Sequence, residues 1–208
     1  MYRNTRGGRR EDRRLLRIVD EAMRRATALA GSWLICGPGC SDCCHGPFPI
    51  TVLDVERLRR GLADFREREP ERGAAIAHRA RNARQELVEG YPGDPVSGKP
   101  SADEKALDDF FVRHSKMACP VLDPETGQCE LYDSRPIACR TYGPPLTYGS
   151  EASRPCPLCF AGASPDEIER CRVQPDREGL EDRLLDQVLP PGGNVWETLI
   201  AFALEGRA

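Results

Sequence analysis

The segment Cys36-Gly-Pro-Gly-Cys40-Ser-Asp-Cys43-Cys44-His45 places four cysteines within nine residues. Two or three residues between cysteines allow one tight loop to direct several sulfurs at a common centre. Glycine and proline permit the backbone turns that this convergence requires. Adjacent side chains point in different directions, so the pair Cys43-Cys44 suits two nearby metal positions, or one cluster contacted from two sides. The spacing therefore predicts a metal-binding loop.

Further cysteines follow in the second half of the chain. Cys119, Cys129 and Cys139 are each ten residues apart, close enough for a folded loop to bring them together. Cys156 and Cys159 form a Cys-x-x-Cys pair, a spacing that serves metal binding or redox chemistry. Cys171 lies in a predicted helix and is interpreted as a core thiol, because free cysteine packs as a small apolar residue.

Composition and charge predict a cytoplasmic protein. The chain of 208 residues is 39% hydrophobic and 30% charged, with a formal net charge of −3. No segment reaches the run of about 18 apolar residues that a membrane span needs, and no basic stretch directly precedes an apolar core as in a signal peptide. Cytosolic thiols stay reduced, so clustered cysteines there favour metal ligands over disulfides or scattered core thiols. An extracellular disulfide-bonded protein is the remaining class.

The N-terminal region is locally basic. Residues 1–25 contain nine arginines and four acidic residues. This pattern predicts a loose arm followed by an exposed charged helix, rather than an arm that binds nucleic acid. No nucleic-acid or membrane partner is expected, and the sequence does not specify the protein or small molecule that the chain meets.

Helical periodicity dominates outside the cysteine segments. Apolar residues recur at helical spacing over 10–31, from Thr51 to Pro70, over 71–89, and in two C-terminal stretches, 180–188 and 195–203. Thr51 with Asp54, Ser101 with Glu104, and Ser164 with Glu167 have the spacing of helix-capping pairs. The predicted fold is mainly α with a cysteine-rich irregular metal-binding core and little or no β-sheet. The predicted domains are 1–32, a basic N-terminal arm and helix; 33–160, a cysteine-cluster metal-binding domain; and 161–208, a C-terminal helical segment packed on it.

With these motifs the sequence resembles the YkgJ-type CxxCxxCC cysteine-cluster family of zinc- or iron-chelating domains. The resemblance covers about residues 33–160. The matching positions are Cys36, Gly39-Cys40, Cys43, Cys44, Thr51, Asp54, Cys119-Pro120, Cys129, Leu131-Tyr132, Arg135-Pro136, Cys139-Arg140, Tyr142 and Cys156. The first spacing is three residues rather than two, and Cys159 and Cys171 are additional. These departures leave the number of ligands open.

The residues and the resemblance together give a predicted site. The predicted metal ligands are Cys36, Cys40, Cys43, Cys44, Cys119, Cys129, Cys139, Cys156 and Cys159. An iron–sulfur cluster is the first choice of cofactor and zinc the second, since both bind cysteine thiolates. Arg135 and Arg140 flank the Cys139 turn and are predicted to offset the negative charge of the centre, with surface solvation as the alternative. For His45 a supporting or exposed role is favoured over metal ligation.

Two functions follow from this site. The first is a metal- or cluster-binding protein that serves redox chemistry, cofactor-dependent modification or metal handling. The alternative is a structural-zinc module that binds a protein or nucleic-acid partner. A family relative, the bacterial flagellin lysine N-methylase, implies an enzymatic role by analogy only. Cys36, Cys40 and Cys43 also have the spacing of radical enzymes that bind S-adenosylmethionine. The absence of a predicted βαβ succession argues against that fold, so this cofactor would need another scaffold.

Overall fold

The computed structural model describes residues 6–37, 39–191, 193 and 195–205. Helices joined by irregular cysteine-rich segments make up most of this part of the chain, which confirms the predicted fold class. The helices are α1 (Arg6–Ala30), α2 (Val52–Arg68), α3 (Pro70–Val88), α4 (Glu104–Arg113), α5 (Ile137–Thr141), α6 (Pro165–Arg170), α7 (Leu180–Asp186) and α8 (Ile200–Glu205). The strands are β1 (Pro49–Thr51), β2 (Thr147–Tyr148), β3 (Glu151–Ala152) and β4 (Trp196–Leu199). The first five residues of the predicted basic arm lie outside the described residues.

The chain forms two compact units, each built from two separate stretches of sequence. The first unit consists of Met1–Gly37 and Ile137–Gly193, and the second of Pro38–Pro136 and Asn194–Ala208. The cysteines are divided equally between them. The first unit holds Cys36, Cys139, Cys156, Cys159 and Cys171, and the second holds Cys40, Cys43, Cys44, Cys119 and Cys129.

The first unit is organised around α1, whose apolar stripe is buried as the helical periodicity predicts. Leu15 and Val19 have no exposed surface, and the helix packs against α5 and α7. At its end, Ala30 joins a small apolar cluster with Leu34 and Phe160. Elsewhere on the helix Arg9, Arg10, Arg13 and Arg17 are exposed, and Arg14 is half-buried. Strands β2 and β3 form a short antiparallel pair in this unit.

The second unit is a helical layer of α2, α3 and α8 that packs on a two-stranded antiparallel sheet. Leu58 and Ile76 of the first two helices meet Ala203 of α8 in a core where all three side chains are fully buried. Burial of each large aliphatic side chain contributes about 1.5–3 kcal/mol to folding. Strand β1 pairs with β4. Helix α2 starts at Val52, directly after β1.

Helix α2 begins at the capping box that the sequence predicts. The Thr51 side chain accepts a hydrogen bond from the Asp54 amide, and the Asp54 carboxylate accepts one from the Thr51 amide. Asp54 also forms a buried ion pair with Arg57, at 2.7 Å. These contacts fix the direction in which the chain leaves the first cysteine loop.

Two local predictions are wrong. Ser101 does not cap α4: Asp103 does, by accepting a hydrogen bond from the Ala106 amide at 3.0 Å, and Ser101 instead accepts one from the Asp103 amide. Residues 196–199 form strand β4 rather than a helix, and α8 starts only at Ile200. Pairing with β1 provides hydrogen-bond partners for the backbone amides and carbonyls of β4. A tertiary contact therefore overrides the local helical periodicity.

No helix within the described ranges combines sufficient length with sufficient apolarity to cross a membrane.

Candidate metal centres

In the second unit, the first cysteine loop is joined to the Cys119 segment by backbone pairing. Residues Asp42–Cys44 form a single 3-10 turn, so the two neighbouring thiols project from a tight bend. The Cys119 amide donates a hydrogen bond to the Cys44 carbonyl at 2.8 Å, and His45 pairs with Ala118 in an antiparallel bridge. This pairing holds the Cys43-Cys44 pair next to Cys119.

Residues 119–130 form a hairpin, which we call the cysteine hairpin, that returns Cys129 to the vicinity of Cys119. Leu122 pairs with Cys129 in an antiparallel bridge, and the Glu130 amide donates to the Val121 carbonyl at 2.8 Å. Val121 and Leu131 are buried in the core of the unit, and Cys119 and Cys129 pack against that core. The hairpin is therefore anchored at both ends by apolar burial.

The thiols of this group influence one another electrostatically. The pKa of Cys43 is raised, first by its side-chain hydrogen bond with Cys44 and then by burial. The pKa of Cys119 is raised to about 12, chiefly by burial and to a smaller extent by the neighbouring Cys129 and Cys43. Burial also raises the pKa of Cys129. Thiols in such surroundings stay protonated at neutral pH unless a cation replaces the protons, which is what a thiolate-bound metal ion does.

Cys40 differs from the other cysteines of the second unit. Its side chain is exposed, whereas those of Cys43, Cys44, Cys119 and Cys129 are half-buried. The preceding Gly39 lies against the turn of the cysteine hairpin, where a Cβ on Gly127 would be 3.6 Å from the Gly39 carbonyl oxygen.

In the first unit, Cys36 lies next to the Cys-x-x-Cys segment. The Sγ atoms of Cys36 and Cys159 are 3.6 Å apart. The Phe160 amide donates to the Trp33 carbonyl at 2.8 Å, which aligns the two segments. The pKa of Cys156 is raised by burial, and the neighbouring Cys159 raises it further. Cys36 therefore shares one location with Cys156 and Cys159, which lie more than 100 residues later in the chain.

A glycine turn supports this group. The Cys156 amide donates to the Gly143 carbonyl at 2.9 Å, and a Cβ on Gly143 would lie 3.1 Å from the Cys36 Sγ. Gly143 has a φ of +130°, a conformation that other residues rarely adopt. Cys139 is half-buried on α5, four residues before this turn. Helix α5, which carries Cys139, thus leads into the Gly143 turn beside Cys36.

Cys171 is buried in the same apolar cluster as Cys156 and Cys159. Its amide donates to the Ile168 carbonyl at 3.1 Å, at the end of α6. The interpretation of Cys171 as a core thiol agrees with this burial. That Cys171 does not bind metal stays a prediction.

The distance between the Cys36 and Cys159 sulfurs is close to that between two ligands of a tetrahedral metal ion. With zinc–sulfur bonds of about 2.3 Å, two ligands of one tetrahedral ion lie about 3.8 Å apart. The 3.6 Å between Cys36 and Cys159 fits this value. Among the described residues, however, no group of three or more cysteine, histidine or acidic side chains is arranged to hold a metal ion. Binding of an ion would therefore have to bring further sulfurs to this pair, as expected where metal binding and folding are coupled.

The three predicted accessory residues lie in different surroundings. The Arg135 guanidinium lies 3.6 Å from the centre of the Tyr132 ring, and its positive charge lowers the pKa of Cys129 against the larger effect of burial. Arg140 donates two hydrogen bonds to the Asp20 carboxylate, at 2.9 and 3.0 Å. His45 donates from Nδ1 to the Ser41 carbonyl at 2.9 Å, which closes the loop over the cysteine pair.

Sequence reasoning missed a charged group beside the cysteine hairpin. Arg72 and Arg79 of α3 both form ion pairs with the carboxylate of Glu130, the residue after Cys129. The only sequence signal is the seven-residue spacing of the two arginines, which places them on one face of the helix.

Thiol-rich loops held on a helical frame define a cysteine-cluster protein of the metal-chelating class. Residues 35–157 match the CxxCxxCC family, described as "Putative zinc- or iron-chelating domain". The match covers more than half of the 208 residues, so the chain belongs to this family. Neither the curated proteins nor the solved structures compared with the chain include a match.

Proposed function

We propose that the chain binds two metal ions through cysteine thiolates, one ion in each compact unit. The first centre uses Cys36, Cys139, Cys156 and Cys159, and the second uses Cys43, Cys44, Cys119 and Cys129. The observation that carries this proposal is the division of the sulfurs between the two units. Sulfur contacts or backbone pairing link Cys36, Cys156 and Cys159 in the first unit and the four cysteines of the second centre in the other, and Cys139 lies on α5 just before the Gly143 turn. Each set supplies the four thiolates that a closed tetrahedral site requires.

The sulfur spacing in the first centre favours a single ion, either zinc or iron, over a four-iron cluster. Two ligands of one tetrahedral ion lie nearly as close together as Cys36 and Cys159 do. In a four-iron cluster each thiolate binds a different iron, so the sulfurs diverge from one another. We therefore place the four-iron cluster second.

A closed shell of four thiolates is typical of structural metal sites. A bound ion would supply the positive charge that the buried thiolates need, and would fix the cysteine loops as a rigid surface. This supports a metal-organised binding module over redox or modification chemistry. It also favours the cytosol, where cysteines stay reduced and available as ligands.

Metal analysis of protein purified without oxygen tests this function. We expect zinc or iron bound to thiolates, without the brown colour or acid-labile sulfide of an iron–sulfur cluster. Brown protein with stoichiometric sulfide would replace the single-ion proposal with the cluster. Protein that retains no thiolate-bound metal under these conditions would contradict metal binding altogether.

A further inference from the structure

Arg79 of α3 contacts both arms of the cysteine hairpin. Its Nε donates a hydrogen bond to the Pro120 carbonyl at 2.9 Å, and its Nη2 forms an ion pair with the Glu130 carboxylate. Pro120 follows Cys119, and Glu130 follows Cys129. One guanidinium therefore joins the residues that adjoin two predicted ligands.

The surroundings of this contact distinguish it from an ordinary surface ion pair. The Glu130 side chain is 4% exposed and that of Arg79 is 27% exposed. A charge-assisted hydrogen bond that is partly removed from water is stronger than an exposed one, which contributes little. Glu130 also accepts from Arg72, at 3.1 Å, but the Arg72 side chain is 51% exposed.

The two arginines have different relations to the hairpin. Arg72 contacts the carboxylates of Glu130 and, at 3.8 Å, Asp123. Among the described contacts, Arg79 alone joins the backbone after Cys119 to the side chain after Cys129. A planar guanidinium can donate to two such acceptors at once in a fixed geometry, which a lysine ammonium cannot reproduce.

We propose that Arg79 is a positioning residue of the second thiolate centre: it sets the separation of Cys119 and Cys129 and brings a positive charge to their negatively charged site. This inference rests on the proposed function. Groups that orient metal ligands without touching the metal commonly change metal affinity by 10- to 100-fold when they are replaced.

Cobalt(II) titration of the metal-free, reduced chain of 208 residues tests the inference, because thiolate-bound cobalt has ligand-field bands in the visible and charge-transfer bands in the near ultraviolet. The cobalt signal that Cys129→Ser removes identifies the second centre, and the remaining signal identifies the first. The test variants are Arg79→Met and Arg79→Lys, and Arg72→Met is the matched control. Urea unfolding of each metal-free variant measures any purely structural effect.

We expect Arg79→Met to weaken cobalt binding at the second centre by at least about tenfold and to leave the first centre unchanged. Arg79→Lys is expected to lie between Arg79→Met and the wild type, and Arg72→Met to remain within about threefold of the wild type. Weaker binding and a changed cobalt spectrum at the second centre alone would show that Arg79 positions the ligands of that centre. A general loss of stability would affect both centres.

The inference is overturned if Arg79→Met binds cobalt at the second centre as tightly as Arg72→Met and with the same spectrum. If Arg79→Met does not fold, a folded Arg79→Lys with wild-type affinity overturns it instead. A wild-type protein without any cobalt signal sensitive to Cys129→Ser would defeat the proposed function itself, and this inference with it.

Discussion

At the scale of single residues, the thiols are placed where a proton or a metal ion must neutralise them. The pKa values of Cys43, Cys119, Cys129 and Cys156 are all raised. Each thiol must lose its proton to bind a metal ion, so protons compete with the metal over the whole pH range below these pKa values.

This competition predicts a pH dependence of metal binding. Lowering the pH from about 8 to about 6 should weaken the apparent affinity of both centres steeply, because several protons must be displaced for each ion. Competition with a chromophoric chelator at each pH, corrected for the protonation of the chelator, measures the effect. An affinity that does not change with pH would show that thiolates are not the ligands.

A second prediction concerns the glycine turn of the first unit. Gly143→Ala should release the metal from the first centre, because the added methyl group would lie 3.1 Å from the Cys36 sulfur and a φ of +130° strains any residue with a Cβ. Gly149→Ala is a suitable control: Gly149 also has a positive φ, but its Cβ would meet open space. Metal content is the readout, and equal metal loss in both variants would point to backbone strain alone.

A third prediction separates the two remaining cysteines of the first unit. Cys139→Ser should remove one metal ion per chain, whereas Cys171→Ser should retain both, because Cys171 is interpreted as a packing residue in the apolar cluster. Metal-to-protein ratios measured on both variants check this. Loss of metal in Cys171→Ser alone would make Cys171 the fourth ligand in place of Cys139.

At the scale of helices and strands, the start of α2 sets the path of the chain out of the first cysteine loop. Thr51→Ala should lower the free energy of unfolding by about 1–2 kcal/mol, because it removes a buried capping hydrogen bond. Ser101→Ala is the matched control, because Asp103 and not Ser101 caps α4. We expect it to change the free energy of unfolding by less than about 0.5 kcal/mol. Urea unfolding measures both, and equal effects would contradict the structural role of the Thr51 cap.

Local sequence signals predicted these elements unevenly, for a physical reason. The caps at Thr51 and Ser164 depend on residues three positions apart, so they were readable from the sequence. Strand β4 depends on β1, which lies almost 150 residues earlier in the chain, and no local pattern carries that pairing. Ser101 failed as a cap because Asp103, a better-placed acceptor, lies only two residues away.

At the scale of the whole molecule, the division into two units changes how the cysteines are grouped. Cys36 and Cys40 are separated by only three residues, yet they belong to different units. Spacing in sequence predicted a thiol-rich loop but could not assign each sulfur to a centre, because the partners of Cys36 come from residues more than 100 positions later. The ion pair between Arg79 and Glu130 could not be predicted for the same reason, because it depends on a contact between α3 and the cysteine hairpin.

The metal-to-protein ratio of three variants, measured by elemental analysis of anaerobically purified protein, tests this division most directly. We expect two ions per chain in the wild type, one in Cys129→Ser, one in Cys156→Ser and none in the double variant. Complete loss of metal in either single variant would contradict it by showing one shared centre, and an unchanged ratio in both would show that these cysteines bind no metal.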